Sequence, residues 1–412
     1  MRITLLLTLL VTMAAPAQDA RIARILREVP LIDGHNDLAW EYRQRVKNHL
    51  QQIDIGTEQK LEKPLHTDIP RLRRGGVGAQ FWSVYVPVTL KGADAVQTTL
   101  EQIDVVHRLN ARYPETFALA LTADDIERIH KSGRIASLIG MEGGHSINNS
   151  LATLRMFYRA GARYMTITHS DNTDWADSAT ADPKLDGLSN FGKAVIGEMN
   201  RLGMLVDLSH VSPSTMHDAL DTTAAPVIFS HSSARALTDH PRNVPDDVLE
   251  RLKTNGGVVM VTFVPGFVSE KVRAHGAAKE AEQARLKALY AGAPQKVKDG
   301  LASWDAAHPA PRATIADVAD HIDHVVKVAG EDHVGIGGDL DGITTTPVGL
   351  ESVADYPNLF AELLRRGYTE SQLKKIAGLN VLRVMRAVEA TAAKLQKERP
   401  ESDVLIEELD RK

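Results

Sequence analysis

The chain has 412 residues, of which 43% are hydrophobic and 25% are charged, and its formal net charge is −5. These values are typical of a globular protein, and the mixing of acidic and basic residues argues against nucleic-acid binding. The sequence contains no cysteine, which excludes disulfides, thiolate metal ligands and a cysteine nucleophile. Any bound metal must therefore be held by imidazole and carboxylate groups.

The first residues of the chain have the features of a signal peptide. Arg2 supplies a positive start, Ile3–Met13 is an apolar run, and Ala15–Ala17 fits the small-x-small cleavage pattern. We predict a signal peptide at residues 1–17, a mature chain that begins near Gln18, and export to the periplasm or the medium. The alternative is an uncleaved N-terminal anchor. The run is too short to span a bilayer comfortably and no later segment resembles a span, so we expect no membrane span after cleavage.

Eight short runs rich in apolar or β-branched residues recur along the chain, and helical patterns lie between most of them. The predicted strands are Pro30–Asp33, Gly78–Val86, Ala136–Met141, Tyr164–Thr168, Met204–Leu208, Val227–Phe229, Gly257–Phe263 and Val334–Gly338. The predicted helices are Asp94–Tyr113, Thr122–Ser132, Ser150–Ala160, Phe191–Leu202, Ser212–Asp221, Asp246–Thr254 and Ile315–Ala329. Strands that alternate with helices indicate a parallel sheet, and eight such units favour a closed (β/α)8 TIM barrel over an open sheet.

Two segments depart from this alternation. Residues 266–312 form a polar stretch rich in alanine and lysine between the seventh and eighth predicted strands. We predict that this stretch is a helical insertion over the barrel mouth or flank. We therefore expect one barrel domain at 18–390, which contains the insertion, followed by a charged C-terminal tail at 391–412.

Side chains that can bind metals follow the predicted strands at their carboxyl ends, where the active sites of (β/α)8 barrels lie. The residues in these positions are Asp33–Asp37, Glu142, His169–Asp171, Ser209–His210, Ser230–His231 and Asp339–Asp341. By chance, roughly one or fewer of the 16 histidines would fall within two positions of a predicted strand end. The histidines found there are His35, His169, His210 and His231. This convergence predicts a metal site.

The spacing of these residues suggests two metal ions. His35 and Asp37 are separated by one residue, so in an extended strand end both side chains point the same way. His210 and His231 follow neighbouring strands and can form a second pair. Glu142 lies between the pairs and is predicted to bridge two ions about 3.5–4 Å apart, which can share a hydroxide and polarise a carbonyl.

Other histidines are assigned by their positions. His321 and His324 are three residues apart, a spacing that suits a metal. The helix at Ile315–Ala329 should lie outside the barrel, however, so we predict that this pair belongs to a solvated helix face. His145 is close to Glu142 and is a candidate for supporting the site without binding metal.

The residues at the strand ends, taken in order, resemble those of a known family. The motifs are Asp33-Gly34-His35-Asn36-Asp37, Glu142-Gly143-Gly144, Thr168-His169-Ser170, Asp207-Leu208-Ser209-His210, Phe229-Ser230-His231-Ser232-Ser233, Arg242-Asn243-Val244-Pro245-Asp246-Asp247 and Gly337-Gly338-Asp339-Leu340-Asp341-Gly342. This set resembles the membrane (renal) dipeptidases, peptidase family M19 of the amidohydrolase superfamily, in a secreted bacterial form. The likeness runs from about residue 30 to about residue 390.

The resemblance implies two Zn²⁺ ions per chain. Its implied metal ligands are His35, Asp37, Glu142, His210 and His231. The first two would bind one ion, the two later histidines would bind the other, and the glutamate would bridge them.

The resemblance also implies three functional side chains beyond the ligands. His169 would bind substrate and polarise the scissile carbonyl. Arg242 would bind the terminal carboxylate of the substrate, a group that an arginine fork also fits by its own geometry. Asp339 would take a proton from the bridging water and pass it to the leaving amine. From the residues alone, Asp339 and Asp341 are equal candidates, and the resemblance selects Asp339.

The implied substrates are small dipeptides, including those with a C-terminal D-residue, cleaved by a metal-bridged hydroxide. A homodimer is possible, because related dipeptidases form dimers. The chain lacks the cysteines and the lipid-anchor signal of mammalian members, and Phe267 stands where they carry a tyrosine.

Two other functions fit part of the pattern. Another binuclear amidohydrolase, of the lactonase, phosphotriesterase or deaminase type, would keep the barrel and the metals. Against it, the fourth strand ends in His169 and no lysine is placed to form a carbamate bridge. A non-catalytic envelope protein that binds metal or peptide would have a broken site, whereas every expected ligand and Asp339 are present. We therefore predict a metallo-dipeptidase.

Overall fold

The computed structural model describes residues 19–410. The predicted signal peptide, residues 1–17, lies outside the described residues and stays a prediction. Within residues 19–410, no helix is both long enough and apolar enough to cross a membrane.

In the described part of the chain, nine strands form one parallel sheet. They are β1 (Leu31–Asn36), β2 (Val77–Ser83), β3 (Phe117–Leu119), β4 (Ile135–Glu142), β5 (Ala162–Thr166), β6 (Leu205–Asp207), β7 (Ile228–Ser232), β8 (Val258–Val261) and β9 (Val334–Ile336). Eight of them close into a ring, because β1 pairs with both β2 and β9, and β2 also pairs with β4. The predicted (β/α)8 barrel is confirmed. The ninth strand, β3, pairs with the start of β4 and was not predicted, because three residues are too few to show a strand pattern.

Helices follow most strands and surround the ring. They are α1 (19–28), α2 (Leu38–Val46), α3 (Ile69–Arg74), α4 (Ala93–Arg112), α5 (Ala123–Lys131), α6 (Leu151–Arg159), α7 (Asn190–Leu202), α8 (Pro213–Thr222), α9 (Asp246–Asn255), α10 (Pro265–Val268), α11 (Glu270–Leu289), α12 (Pro294–Ala307), α13 (Ile315–Ala329), α14 (Tyr356–Arg365), α15 (Glu370–Lys374), α16 (Asn380–Glu398) and α17 (Ile406–Leu409). Several begin after a hydroxyl that accepts a backbone N–H of the first turn: Thr122, Ser150, Ser189 and Ser212. Such caps satisfy amides that the helix itself leaves unpaired.

Large side chains fill the interior of the barrel. Phe81 on β2 and Tyr164 on β5 have ring centroids 5.1 Å apart although β4 lies between their strands. Both are fully buried, as is Met260 on β8. The barrel is therefore a packed core, and the space for a ligand lies above it, at the carboxyl ends of the strands.

The predicted insertion, residues 266–312, contains α11 and α12, which form a helical hairpin. The two helices contact each other through the Lys279–Asp305 ion pair, 2.8 Å long, and through the rings of His275 and Trp304. Leu286 is the one residue of α11 that is buried, and no residue of α12 is. The hairpin therefore adds little to the core.

His321 corrects an expectation from the sequence. The side chain is buried rather than on a solvated helix face, because α13 packs against the loop that follows β7. Its Nδ1 accepts the Ala234 N–H at 3.0 Å, and its Nε2 lies 3.2 Å from the Val268 carbonyl oxygen. His324 is partly buried and lies 2.8 Å from an Asp246 carboxylate oxygen.

We predict that Gly34→Ala destabilises the protein, because a Cβ there would lie 2.4 Å from the Ser230 carbonyl oxygen and 2.5 Å from the Met260 sulfur. The expected loss is about 1–3 kcal/mol in the free energy of unfolding, measured by denaturant titration. Gly276→Ala is the control, since a Cβ at that position in α11 would have no heavy atom within 4 Å apart from the backbone of its own helix. It should stabilise the protein by about 0.5–1 kcal/mol. Equal effects of the two substitutions would contradict the close approach of β1 to β7.

Candidate metal centre

The carboxyl ends of the strands bring the predicted site residues together around one cavity of about 510 Å³. The residues that line it include Asp37, Glu142, His169, His210, His231, Arg242 and Asp339. His35 is fully buried and lies 3.5 Å from Glu142, which lines the cavity. The residues that follow the strands therefore lie close together in space.

Glu142, the last residue of β4, lies at the centre of this cluster. Its Oε1 is 3.0 Å from His210 Nε2, and its Oε2 accepts the Ser83 hydroxyl at 3.1 Å. The other imidazole nitrogens near it are the Nε2 atoms of His35, His169 and His231, at 3.5, 3.5 and 3.6 Å. His35 faces Oε2 and the others face Oε1, so the two oxygens of one carboxylate serve different neighbours.

Side chains around the cluster orient the imidazoles. His35 Nδ1 lies 2.9 Å from the Tyr164 hydroxyl, which itself lies 3.2 Å from the Gly34 carbonyl oxygen. If the phenol donates to that carbonyl, it accepts the Nδ1 proton of His35. The Nε2 of His35 is then free to bind a metal.

Two site residues, each just beyond the end of a strand, have a left-handed backbone conformation. His210 has φ +72° and Asp339 has φ +58°, a conformation uncommon for residues other than glycine. The His210 carbonyl oxygen is held by the Ala179 N–H at 2.7 Å and the Thr168 hydroxyl at 3.0 Å. The Ser178 hydroxyl also lies 3.3 Å from it. These bonds stabilise the turn that aims His210 at Glu142.

Asp339 and Asp341 have different surroundings. One Asp339 oxygen groups with His35 and Asp37, with all ligand atoms within 4.8 Å of one another. Asp341 instead accepts the His66 N–H at 2.6 Å, and burial raises its pKa to about 7. The carboxylate that reaches the cluster is therefore that of Asp339.

The charges in the cluster favour a bound cation. Burial acts to raise the pKa of Glu142, but the neighbouring imidazoles hold that pKa well below its usual value. Burial is the main cause that lowers the pKa of His210, and the Arg242 charge adds to it. Burial also lowers the pKa of His231, and the charge of His35 adds to it. Both imidazoles are therefore neutral. Burial acts to lower the pKa of His35, but Tyr164, Glu142 and Asp37 raise it well above its usual value, so this imidazole holds a proton where a cation would bind. Carboxylates and imidazoles together are the ligand set that zinc-type ions use when thiolates are absent.

An unpaired buried nitrogen shows that the residues fit a metal. His35 Nε2 is buried and makes no hydrogen bond, and it lies 3.3 Å from an Asp37 oxygen. Three groups of side chains have ligand atoms that all lie within 4.8 Å of one another. The first is His35, Glu142 and His231; the second is Glu142, His169 and His210; the third is His35, Asp37 and Asp339. His169 is thus close enough to Glu142 to join a metal group, although the family resemblance implied a substrate role for it.

Arg242, in the loop after β7, provides the positive side of the cavity. It is 4% exposed, and its Nε lies 3.0 Å from His210 Nδ1. Its Nη1 is buried and has no hydrogen-bond partner. The guanidinium lies 5.3 Å from the centroid of the Phe267 ring. An unpaired guanidinium nitrogen at a cavity is suited to bind an anionic group.

Several polar groups that support this site were not predicted. Ser83, Tyr164 and Ser178 touch site residues from within strands or from a long loop. A hydroxyl at an inward-facing position of an otherwise apolar strand is the signal that could have identified the first two.

A sequence model of the family described as membrane dipeptidase (peptidase family M19) matches residues 19–399. The chain belongs to this family. It is a metallo-dipeptidase, as its sequence predicted.

Solved structures share the fold of this dipeptidase. The probable dipeptidase PvdM from Pseudomonas aeruginosa is 22% identical with a TM-score of 0.77, over 92% of this chain and 100% of that chain. A metallopeptidase from Rhodobacter sphaeroides, liganded with a phosphinate mimic of the dipeptide L-Ala-D-Ala, is 24% identical with a TM-score of 0.72, over 87% and 99%. The dipeptidase AC, of family M19, is 25% identical with a TM-score of 0.71, over 87% and 98%.

We predict that Glu142→Gln lowers the affinity for metal, because the neutral amide removes the charge that faces the imidazoles. Loss of an outer partner of a ligand costs about 10–100-fold in metal affinity, and loss of this carboxylate should cost at least as much. Metal per chain after dialysis, measured by atomic emission, checks this. Glu41→Gln is the control, since Glu41 lines the same cavity outside the cluster. Wild-type metal content in Glu142→Gln would contradict the central place of this carboxylate.

Proposed function

We propose that the chain hydrolyses dipeptides at a centre of two zinc ions. His35 and Asp37 would hold one ion, His210 and His231 the other, and Glu142 would lie between them. The observation that carries this proposal is buried Arg242, which lines the same cavity as most of these ligands and whose Nη1 has no hydrogen-bond partner. A cavity lined both by metal-binding side chains and by a buried guanidinium suits a peptide bond close to a carboxylate.

The ions would supply one chemical property when bound: they lower the pKa of a shared water and polarise a carbonyl. The protein would supply the rest. Glu142 presents one oxygen to His35 and the other to His210, so a single charge can serve both ions. The buried position of these side chains fixes their directions before substrate binds, which reduces reorganisation during the reaction.

Arg242 would recognise the free carboxylate of the dipeptide. Burial lowers the pKa of Arg242 to about 10, which leaves the group charged at neutral pH. Its contact with Phe267 keeps the guanidinium plane in one orientation. A longer peptide would place a neutral amide against this charge, so the site would favour substrates of two residues.

Asp339 and His169 would act on the reacting groups. Asp339 lies among the ligands yet remains partly open to the cavity, so its carboxylate can take a proton from the attacking water and deliver it to the leaving amine. His169 lies beside Glu142 and packs against Tyr85, with ring centroids 5.0 Å apart and ring planes tilted by 54°. From this position it would donate to the carbonyl oxygen as negative charge develops there.

The proposed substrates include dipeptides whose second residue has the D configuration. The proposal of D-residue substrates is supported by the similar metallopeptidase from Rhodobacter sphaeroides, which is liganded with a phosphinate mimic of L-Ala-D-Ala. Export to the periplasm and a homodimer stay predictions from the sequence.

Hydrolysis of a panel of dipeptides tests the proposal. We expect the zinc-loaded protein to cleave L-Ala-L-Ala and L-Ala-D-Ala, to lose this activity with chelator, and to regain it with zinc. The C-terminal amide of each dipeptide should be cleaved far more slowly, because it lacks the group that Arg242 binds. Cleavage of lactones, phosphotriesters or amidines in place of dipeptides would instead favour another binuclear amidohydrolase.

We predict that Asp339→Asn lowers kcat by about 10²–10⁴-fold, because an amide cannot accept the proton, while the zinc content stays near that of the wild type. Asp341→Asn is the matched control, since this carboxylate lies two residues away and bonds to His66. It should cause a much smaller loss. Equal losses in the two variants, measured with metal content alongside, would remove Asp339 from the proposed role.

A further inference from the structure

Asp207, the last residue of β6, is a fully buried carboxylate that does not line the cavity. Its Oδ1 accepts the backbone N–H groups of Ser230 at 2.9 Å and Ser209 at 3.0 Å. Its Oδ2 accepts the hydroxyls of Ser230 at 2.5 Å and Thr166 at 2.8 Å. Burial raises the pKa of this carboxyl, and the donors that face both of its oxygens act against that rise and favour its ionised form.

Ser230 connects this carboxylate to a proposed metal ligand. The Ser230 hydroxyl oxygen lies 2.8 Å from His231 Nδ1. A serine hydroxyl has one proton, and here that proton points to Asp207. The oxygen must then accept the proton of His231 Nδ1.

This chain of bonds determines the tautomer of His231. With the proton on Nδ1, the lone pair of Nε2 faces the cluster, where it lies 3.6 Å from Glu142 Oε1 and 2.9 Å from His210 Nε2. A metal binds the unprotonated nitrogen of an imidazole. The arrangement therefore prepares His231 to bind an ion.

His35 has a similar but weaker chain of hydrogen bonds behind its Nδ1. Its Nδ1 faces the hydroxyl of Tyr164, whose next partner is the neutral Gly34 carbonyl. The chain behind His231 ends instead on a carboxylate, which increases the basicity of the imidazole that it supports. The two histidines thus differ in the charge behind them.

We propose that Asp207, acting through the Ser230 hydroxyl, fixes the tautomer of His231 and determines how tightly the ion at His231 is held. Asp207 is a positioning residue in this role, since it touches neither the cavity nor the cluster. The inference rests on the proposed metal centre.

Substitutions at Ser230 and Asp207 test the inference through metal affinity rather than activity. Ser230→Ala removes the relay. Asp207→Asn places an amide donor opposite Ser230, whose own proton then turns to His231 Nδ1 and leaves the ring proton on Nε2. Competition between metal-stripped protein and a chromophoric zinc chelator should show that each variant binds one ion about 10–100-fold more weakly than the wild type.

Two further variants separate the relay from packing. Ser230→Thr keeps the hydroxyl and should retain the wild-type affinity. Ser232→Ala makes the same change two residues along β7, at a buried serine whose hydroxyl donates to the Ser209 hydroxyl at 3.2 Å, and should also leave the affinity unchanged. Circular dichroism and thermal unfolding of the metal-free proteins identify any variant that fails to fold.

The outcomes are distinguishable. A wild-type protein that binds no zinc would overturn the proposed metal centre itself. If the wild type binds two ions and Ser230→Ala binds both with unchanged affinity, the relay is wrong. Equal weakening by Ser230→Ala and Ser232→Ala would mean that packing of the strand, rather than the hydroxyl, supports His231. Should Asp207→Asn not fold, the comparison of the three serine variants decides the question.

Discussion

The structure of the site depends on one buried charge, the carboxylate of Glu142. A carboxylate in a protein interior is costly unless hydrogen bonds and opposite charges compensate it. Here the Ser83 hydroxyl donates to one oxygen, and imidazole nitrogens from separate strand ends surround both. A closed barrel suits this arrangement, because residues distant in sequence reach a common centre only when their strands end at one rim. The (β/α)8 ring is thus the framework that makes this charge tolerable.

Backbone strain at the rim is the second constraint. A non-glycine residue in the left-handed region costs about 1–3 kcal/mol and persists only where its surroundings hold it. His210 is held through its carbonyl oxygen by Thr168 and Ala179, which belong to the connection after β5. Asp339 is held by its N–H, which donates to the His35 carbonyl oxygen at 3.1 Å. Each strained residue is therefore supported by a neighbouring strand end, so the ligands form one coupled arrangement.

The barrel and the cluster could be predicted because both follow from strand positions. A buried strand appears as an apolar run, and in this fold the residues just beyond the run face the site, so His35, Glu142 and His210 were identifiable. The bond between the Ser230 hydroxyl and Asp207 was not, because periodicity reports burial but not which polar groups meet across strands. His321 was placed in solvent for a similar reason: its burial depends on how α13 packs against the loop after β7, which no local pattern shows.

The proposed metal ligands and the proposed substrate-binding residues are supported by different parts of the fold. Substrate preference can therefore change with less effect on the metal ligands. The proposed ligands stand on strand ends, and barrel side chains contact the Nδ1 atoms of His35 and His231, whereas Arg242 contacts that of His210. Arg242 and Phe267 lie on connections after β7 and β8, which His321 links by contacting Ala234 and Val268. Loops tolerate substitution better than strand ends, since fewer buried partners depend on them. Substitutions around Phe267 can thus alter which substrate side chains the site accepts, while the imidazoles around Glu142 keep their geometry.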